Sequence, residues 1–133
     1  MAGRSLAREV AFQILYQDDL NPRHNPADDD AMLRERIDNE GLCQFARDLV
    51  AGVRRHRQEL DEQLAEVAVN WSLDRMTPVD RNVLRLGAFE IAYADTPRAV
   101  AIDEAIELAK RFGTAKSPKF VNGILDKIGV TGE

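Results

Sequence analysis

Arg4, Arg8, Phe12 and Tyr16 are spaced by four residues, which on a helix sets them along one slowly drifting stripe, two guanidinium groups followed by two rings. Single-stranded RNA is held by such a combination, arginine on phosphate and an aromatic face against an unstacked base. The same ingredients return near the other end of the chain. Lys110, Arg111 and Phe112 close one helical pattern, and Lys116, Ser117, Lys119 and Phe120 open the next. Backbone N–H groups at a helix start attract phosphate, and flanking lysines strengthen that attraction. Spacing alone also fits a blander arrangement, in which Phe12, Tyr16 and Phe120 are core rings and the cations are solvated around them.

Nothing comparable points to catalysis. His24 and His56, the two histidines, lie in polar stretches, and the chain has no GxSxG elbow, Walker loop or HExxH pattern, so serine and cysteine nucleophiles lack a base. Acidic neighbours such as Asp103 and Glu104 point about 100° apart on a helix and read as a solvated face. Cys43 is the only cysteine, which excludes an internal disulfide and a cysteine-based zinc site. It is expected as a half-buried thiol, with both histidines solvated. No catalytic residue, metal or cofactor is expected.

Charge narrows the partner class. A net charge of −5 argues against indiscriminate coating of nucleic acid, which needs a broad basic face. The segment from Lys110 to Lys127 nevertheless carries an excess of four positive charges, while Asp28 to Glu40 is strongly acidic. Such a protein can bind an anion at one end and repel it elsewhere. No stretch approaches the roughly 20 apolar residues of a membrane span. Met1 to Arg8 lacks a signal-peptide core, and a cytoplasmic location with no membrane role is expected.

All the informative patterning has helical period, and 133 residues suit a single folding unit. The first helix should stop before Asn21-Pro22. An aspartate of the run Asp28 to Asp30 is expected to cap a short second helix. Leu42 to Val53 reads as a buried third helix, followed by a fourth through Leu60, Leu64, Val67, Ala68 and Trp71, with the basic cluster Arg54 to Arg57 at the junction. Thr77-Pro78-Val79-Asp80 has the form of a helix start, with Thr77 as N-cap. Gly87, inside the apolar stripe of that fifth helix, implies a close crossing. A sixth helix runs to Phe112, where Gly113 suits a left-handed terminator, and a seventh continues through Asn122-Gly123 until Gly129. The expected fold class is all-α, about seven helices in two packed subdomains, near 1–70 and 71–133, within one domain.

Four blocks carry a family resemblance: Arg8 to Gln17 (REVAFQILYQ), Leu49 to Val53 (LVAGV), Val79 to Glu90 (VDRNVLRLGAFE) and Ala101 to Asp126 (AIDEAIELAKRFGTAKSPKFVNGILD). Together they resemble the NusB family of transcription antitermination factors, in order along nearly the whole chain. The resemblance implies a two-subdomain helical fold. It also implies pairing with the small-subunit ribosomal protein NusE, binding of boxA RNA from ribosomal RNA operons, and read-through by an RNA polymerase antitermination complex.

By position, Arg4 and Arg8 match the family's arginine-rich N-terminal segment, and Tyr16 its LYQ-like block. Phe112, Lys119 and Phe120 match positions close to the RNA, with Lys110 and Lys116 beside them. Arg81 and Arg85 fall in a block assigned to the partner surface. Two arginines at the N-terminus, where the family often has a denser run, imply weak RNA affinity without the partner.

Self-association is compatible with the resemblance, since some members pair through the surface used for partners. Two rivals accompany this reading. One is a helical protein-interaction module without an RNA role. The other is a detached domain like the N-terminal part of certain ribosomal RNA cytosine methyltransferases, which would require a cofactor-binding α/β domain that is not seen before Glu133. Reversing charge at Lys119 and Arg8 together is expected to weaken RNA binding while leaving helical content intact.

Overall fold

The computed structural model describes residues 3–129; Met1, Ala2 and residues 130–133, which the single-domain expectation includes, lie outside them. Seven α-helices and two 3₁₀ turns, without a strand, make up the described residues. They are α1 (Gly3–Leu20), α2 (Asp29–Arg36), α3 (Glu40–Arg55), α4 (Arg57–Val67), α5 (Pro78–Ala92), α6 (Arg98–Phe112) and α7 (Ser117–Leu125), with short turns at Pro26–Asp28 and Leu73–Arg75.

The starts of these helices follow local chemistry. Asn39 accepts a hydrogen bond from the Leu42 N–H at 2.9 Å, and Thr77 accepts one from Asp80 at 3.2 Å with Pro78 in the first turn, so each cap satisfies a donor that the helix leaves free. The expectation for the aspartate run is corrected. Asp28 makes no capping bond, and Asn25 instead caps the preceding 3₁₀ turn. Asp29 and Asp30 are drawn into ion pairs with Arg54, Arg34 and Arg47. At the other end, α4 stops at Val67 rather than reaching Trp71, which lies beyond it with about half its surface (51%) exposed.

Helix α5 is the axis of the molecule and packs against α1, α3, α4, α6 and α7. Every residue from Asn82 to Ala88 is buried, more than an amphipathic stripe predicts, because this helix has neighbours on all sides. Gly87 fits that crowding. A Cβ there would lie 2.7 Å from Leu125 Cδ1 of α7 and 3.4 Å from Ala105 Cβ of α6, so side chains of two neighbouring helices fill the space a methyl group would need.

Gly113 ends α6 in an extended conformation, φ −96° and ψ −162°, not the left-handed one expected. Its lack of a side chain serves contact instead, since a Cβ would approach the Ala109 carbonyl oxygen to 2.8 Å and collide with Ser117. The last helix ends at Leu125, before Gly129. Arg98, at the start of α6, donates to the carbonyls of Leu125, Asp126 and Ile128 and so ties α6 to the turn that follows α7.

Buried residues from all seven helices form one continuous cluster. Among the described residues no helix is long and apolar enough to cross a membrane.

Candidate nucleic-acid interface

Helices α1 and α6 run side by side, and the contacts between them order the candidate residues along a seam. Ser5 donates to Glu104 at 2.6 Å, Arg8 reaches Glu104 at 3.3 Å, Glu9 pairs with Arg111, and the Phe12 and Phe112 rings lie 5.3 Å apart. At a rise of about 1.5 Å per residue, Arg4 and Tyr16 are separated by about 18 Å along α1. The stripe read from spacing therefore divides into two ends with different surroundings.

At the first end Arg4 is exposed, with its guanidinium carbon 4.7 Å above the centre of the Phe45 ring. It borders a groove of ≈470 Å³ between α3 and the α5–α6 link, walled by Leu49, Phe89 and Pro97. Arg8 also lines this groove, its guanidinium carbon 5.2 Å from the centre of the Phe45 ring, but it offers almost no surface. Its Nε and Nη2 donate to the two carboxylate oxygens of Glu90 at 2.8 and 3.0 Å, and its side chain is only 4% exposed. The assignment of Arg8 to phosphate is therefore corrected: its guanidinium is spent inside the protein, tying α1 to α5.

At the second end the rings assemble. Phe12, Tyr16 and Phe112, with Gln13, Gln17, Met32 and Val79, line a groove of ≈450 Å³, a size suited to a small planar ligand. Phe12 is buried and forms the floor, while Tyr16 and Phe112 are half-buried and keep surface available. Of the rings on this one stripe, Phe12 is thus a core ring and Tyr16 keeps a face open to the groove.

A third groove, of ≈220 Å³, lies across the start of α5 and is walled by Trp71, Met76, Thr77, Asp80, Lys116 and Phe120. The Trp71 and Phe120 rings meet edge to face, with centroids 5.9 Å apart. Lys119 is exposed on α7, and Lys110 is exposed on α6 with Glu107 3.4 Å away. The α7 start offers few free amides for phosphate. Ser117 N–H is bonded to Thr114 O, Phe120 N–H to Lys116 O and Lys116 N–H to Thr114 Oγ1, and Pro118 has none. Attraction for an anion there rests on the Lys116 and Lys119 side chains.

Arg81 and Arg85 belong to a different arrangement. Arg85 is 5% exposed and holds Asp61 through two bonds of 2.8 and 3.1 Å, while Arg81 holds Asp19 at 2.7 Å. Asn82 adds a bond to Asp19 at 2.8 Å. This network ties α1, α4 and α5 together. Arg85 is accordingly an internal brace and not a free partner-binding cation.

Burial pushes the Asp19 carboxyl upward, but the hydrogen bonds from Arg81 and Asn82 and the charges of Arg81 and Arg85 outweigh it, leaving the pKa lowered. A carboxyl depressed in the folded state contributes stability above its unfolded pKa, which is lost as pH falls through the folded one. Stability should therefore decline below about pH 4. Asp19→Asn should flatten that acid limb in urea-unfolding curves measured from pH 6 to 3; an acid limb as steep as wild type would refute the assignment.

The histidines are less solvated than expected. His24 lies 2.7 Å from Asp29, and His56 stacks on Tyr93 at 4.0 Å. Cys43 is buried, with Sγ 3.5 Å from the Ile37 carbonyl oxygen. No group of three or more potential metal ligands forms among the described residues.

Two residues beside the ring-lined groove escaped the sequence reading: Arg36, from the acidic stretch, which donates to Gln13, and Arg111, named there only as part of the basic end, which lies against the Phe112 ring. Both converge on Glu9. A local pattern could not reveal this, because the partners are 27 and 102 residues apart.

This geometry defines a class: an all-α protein that gathers rings and cations at helix ends. The NusB family model matches residues 5–129. Transcription antitermination protein NusB of Bacillus subtilis (strain 168) is 48% identical, covering 94% of this chain and 93% of that protein. The protein of the same name from Desulfotalea psychrophila (strain LSv54 / DSM 12343) is 44% identical, covering 96% of each. A crystal structure of antitermination factors NusB and NusE in complex with dsRNA aligns with a TM-score of 0.86 at 33% identity, over 96% of both chains. The chain belongs to the NusB family.

Proposed function

We propose that this protein is a non-catalytic antitermination factor of the cytoplasm which, together with NusE, binds the boxA element of nascent ribosomal RNA and helps RNA polymerase read through terminators. The observation that carries the RNA part is the groove of Phe12, Tyr16 and Phe112 with cations at its edge. The half-open ring faces of Tyr16 and Phe112 can accept unstacked bases, while guanidinium and ammonium groups hold the backbone. Membership of a family that includes a solved NusB–NusE–dsRNA assembly supports the partner. With Arg85 committed internally, the half-exposed Trp71 and the groove it shares with Asp80 and Phe120 are the better surface for NusE.

The grooves favour single strands over duplex, since bases paired in a helix present no free face to Tyr16 or Phe112. The test is a titration of boxA RNA, as a single strand and as a duplex, against the protein with and without NusE at two salt concentrations. The single strand should bind more tightly and NusE should increase that affinity. Phe112→Ala should then weaken single-strand binding by about 1–3 kcal/mol, roughly five- to 150-fold. Equal affinity for both forms, or a Phe112→Ala variant that binds as wild type, would reject the stacking mechanism.

A further inference from the structure

The Glu9 carboxylate is 5% exposed and receives two guanidinium groups from different helices, Arg36 of α2 at 2.7 Å and Arg111 of α6. Arg36 also donates to the side-chain oxygen of Gln13, and the Arg111 guanidinium carbon lies 5.3 Å from the Phe112 ring centre. Gln13 and Phe112 are walls of the ring-lined groove. Two cations and one anion thus leave a net positive charge on its rim.

The form of this cluster differs from that of the buried braces. Arg8 and Glu90 are both hidden, at 4% and 2% exposure, as expected of a pair that serves the fold. Around Glu9 only the carboxylate is hidden; Arg36 and Arg111 remain 35% and 46% exposed. Guanidinium has five N–H donors in a rigid fork. Neither arginine spends all of them on protein.

From this we infer that Arg36 and Arg111 are phosphate-holding residues of the groove and that Glu9 is the positioning residue that aims them. A strand whose base enters between Tyr16 and Phe112 has its flanking phosphates held from both sides of α1, by α6 and by α2. The RNA path then crosses the first helix instead of following its arginines. This deepens the RNA reading above and rests on it.

The test measures binding of a labelled single-stranded boxA RNA to the protein mixed with NusE, by anisotropy over a series of salt concentrations. For single strands each neutralised phosphate contributes about 0.7 to the slope of log affinity against log salt. Arg36→Gln and Arg111→Gln should each lower the slope by about that amount, and the corresponding lysine variants should restore it. Because either glutamine variant removes one of the two cations that hold buried Glu9, the triple variant Glu9→Gln, Arg36→Gln, Arg111→Gln is the control that removes the whole charged cluster. Its slope should fall by about two phosphates' worth.

Wild-type slope in the triple variant would overturn the assignment of both arginines, and so would an affinity loss at unchanged slope, which would mark a contact to NusE. Wild-type protein that binds no RNA at all would instead remove the RNA reading itself.

Discussion

Arg8→Ala should destabilise the folded protein by roughly 3–5 kcal/mol, the usual cost of leaving a buried charge without its partner. That is a large share of the roughly 5–15 kcal/mol by which most domains are stable. The cause is Glu90, whose side chain is 2% exposed and would keep only the Thr96 hydroxyl, 2.7 Å from Oε2. Arg8→Glu should be worse, because it sets a third carboxylate beside Glu90 and Glu104. The charge reversal expected from sequence to spare helical content would therefore fail for a structural reason. Replacing both partners, as Arg8→Met with Glu90→Leu, should recover much of the loss, since removing a whole buried pair costs far less than halving it. Urea-unfolding midpoints of the single and double variants provide the measurement. A loss below about 1 kcal/mol for Arg8→Ala, the level of a surface ion pair, would show that the bidentate contact is not a brace.

Periodicity carried the helices far better than it carried the site. Apolar spacing at three and four residues found every described helix but α2, even through Asn122-Gly123, because an amphipathic face is a local property of the chain; α2 was expected only from the aspartates before it. It failed where tertiary contact decides. Four-residue spacing advances about 40° around a helix beyond a full turn. Arg4, Arg8, Phe12 and Tyr16 therefore drift past different neighbours and meet, in turn, water above Phe45, buried Glu90, Phe112 and a half-open groove. Residue type at Arg8 suggested phosphate, yet no local feature shows that Glu90, 82 residues away, takes the guanidinium. The converse error hid Arg36. Its acidic surroundings in sequence suggested a region that repels RNA, whereas the fold carries it to Glu9 at the edge of the rings. Lys116 and Phe120 share one groove because only a few residues separate them at the start of α7, whereas Phe112, at the end of α6, lines another.

The same distinction governs Arg85, where the sequence reading and the structure predict opposite experiments. A partner-facing arginine replaced by methionine would lower NusE affinity and leave the isolated protein as stable as before. The internal brace seen here predicts that Arg85→Met lowers stability first. Asp61 would retain only Arg57, at 4.0 Å, and Asp19 would retain Arg81 and Asn82. Because Asp61 is 29% exposed and can be hydrated in part, the loss should fall at the lower end for a broken buried pair, roughly 3 kcal/mol.

Arg85→Met combined with Asp61→Leu should return part of it, leaving Asp19 with the partners it already has. Thermal or urea unfolding of the protein alone, beside titration with NusE below the variant's melting range, separates the two accounts. Wild-type stability together with weakened NusE binding would return Arg85 to the partner surface and would require the α1–α4–α5 network to loosen in solution. Full NusE affinity in the still-folded variant, with unfolding shifted to lower urea, would leave the Trp71 groove as the partner's seat.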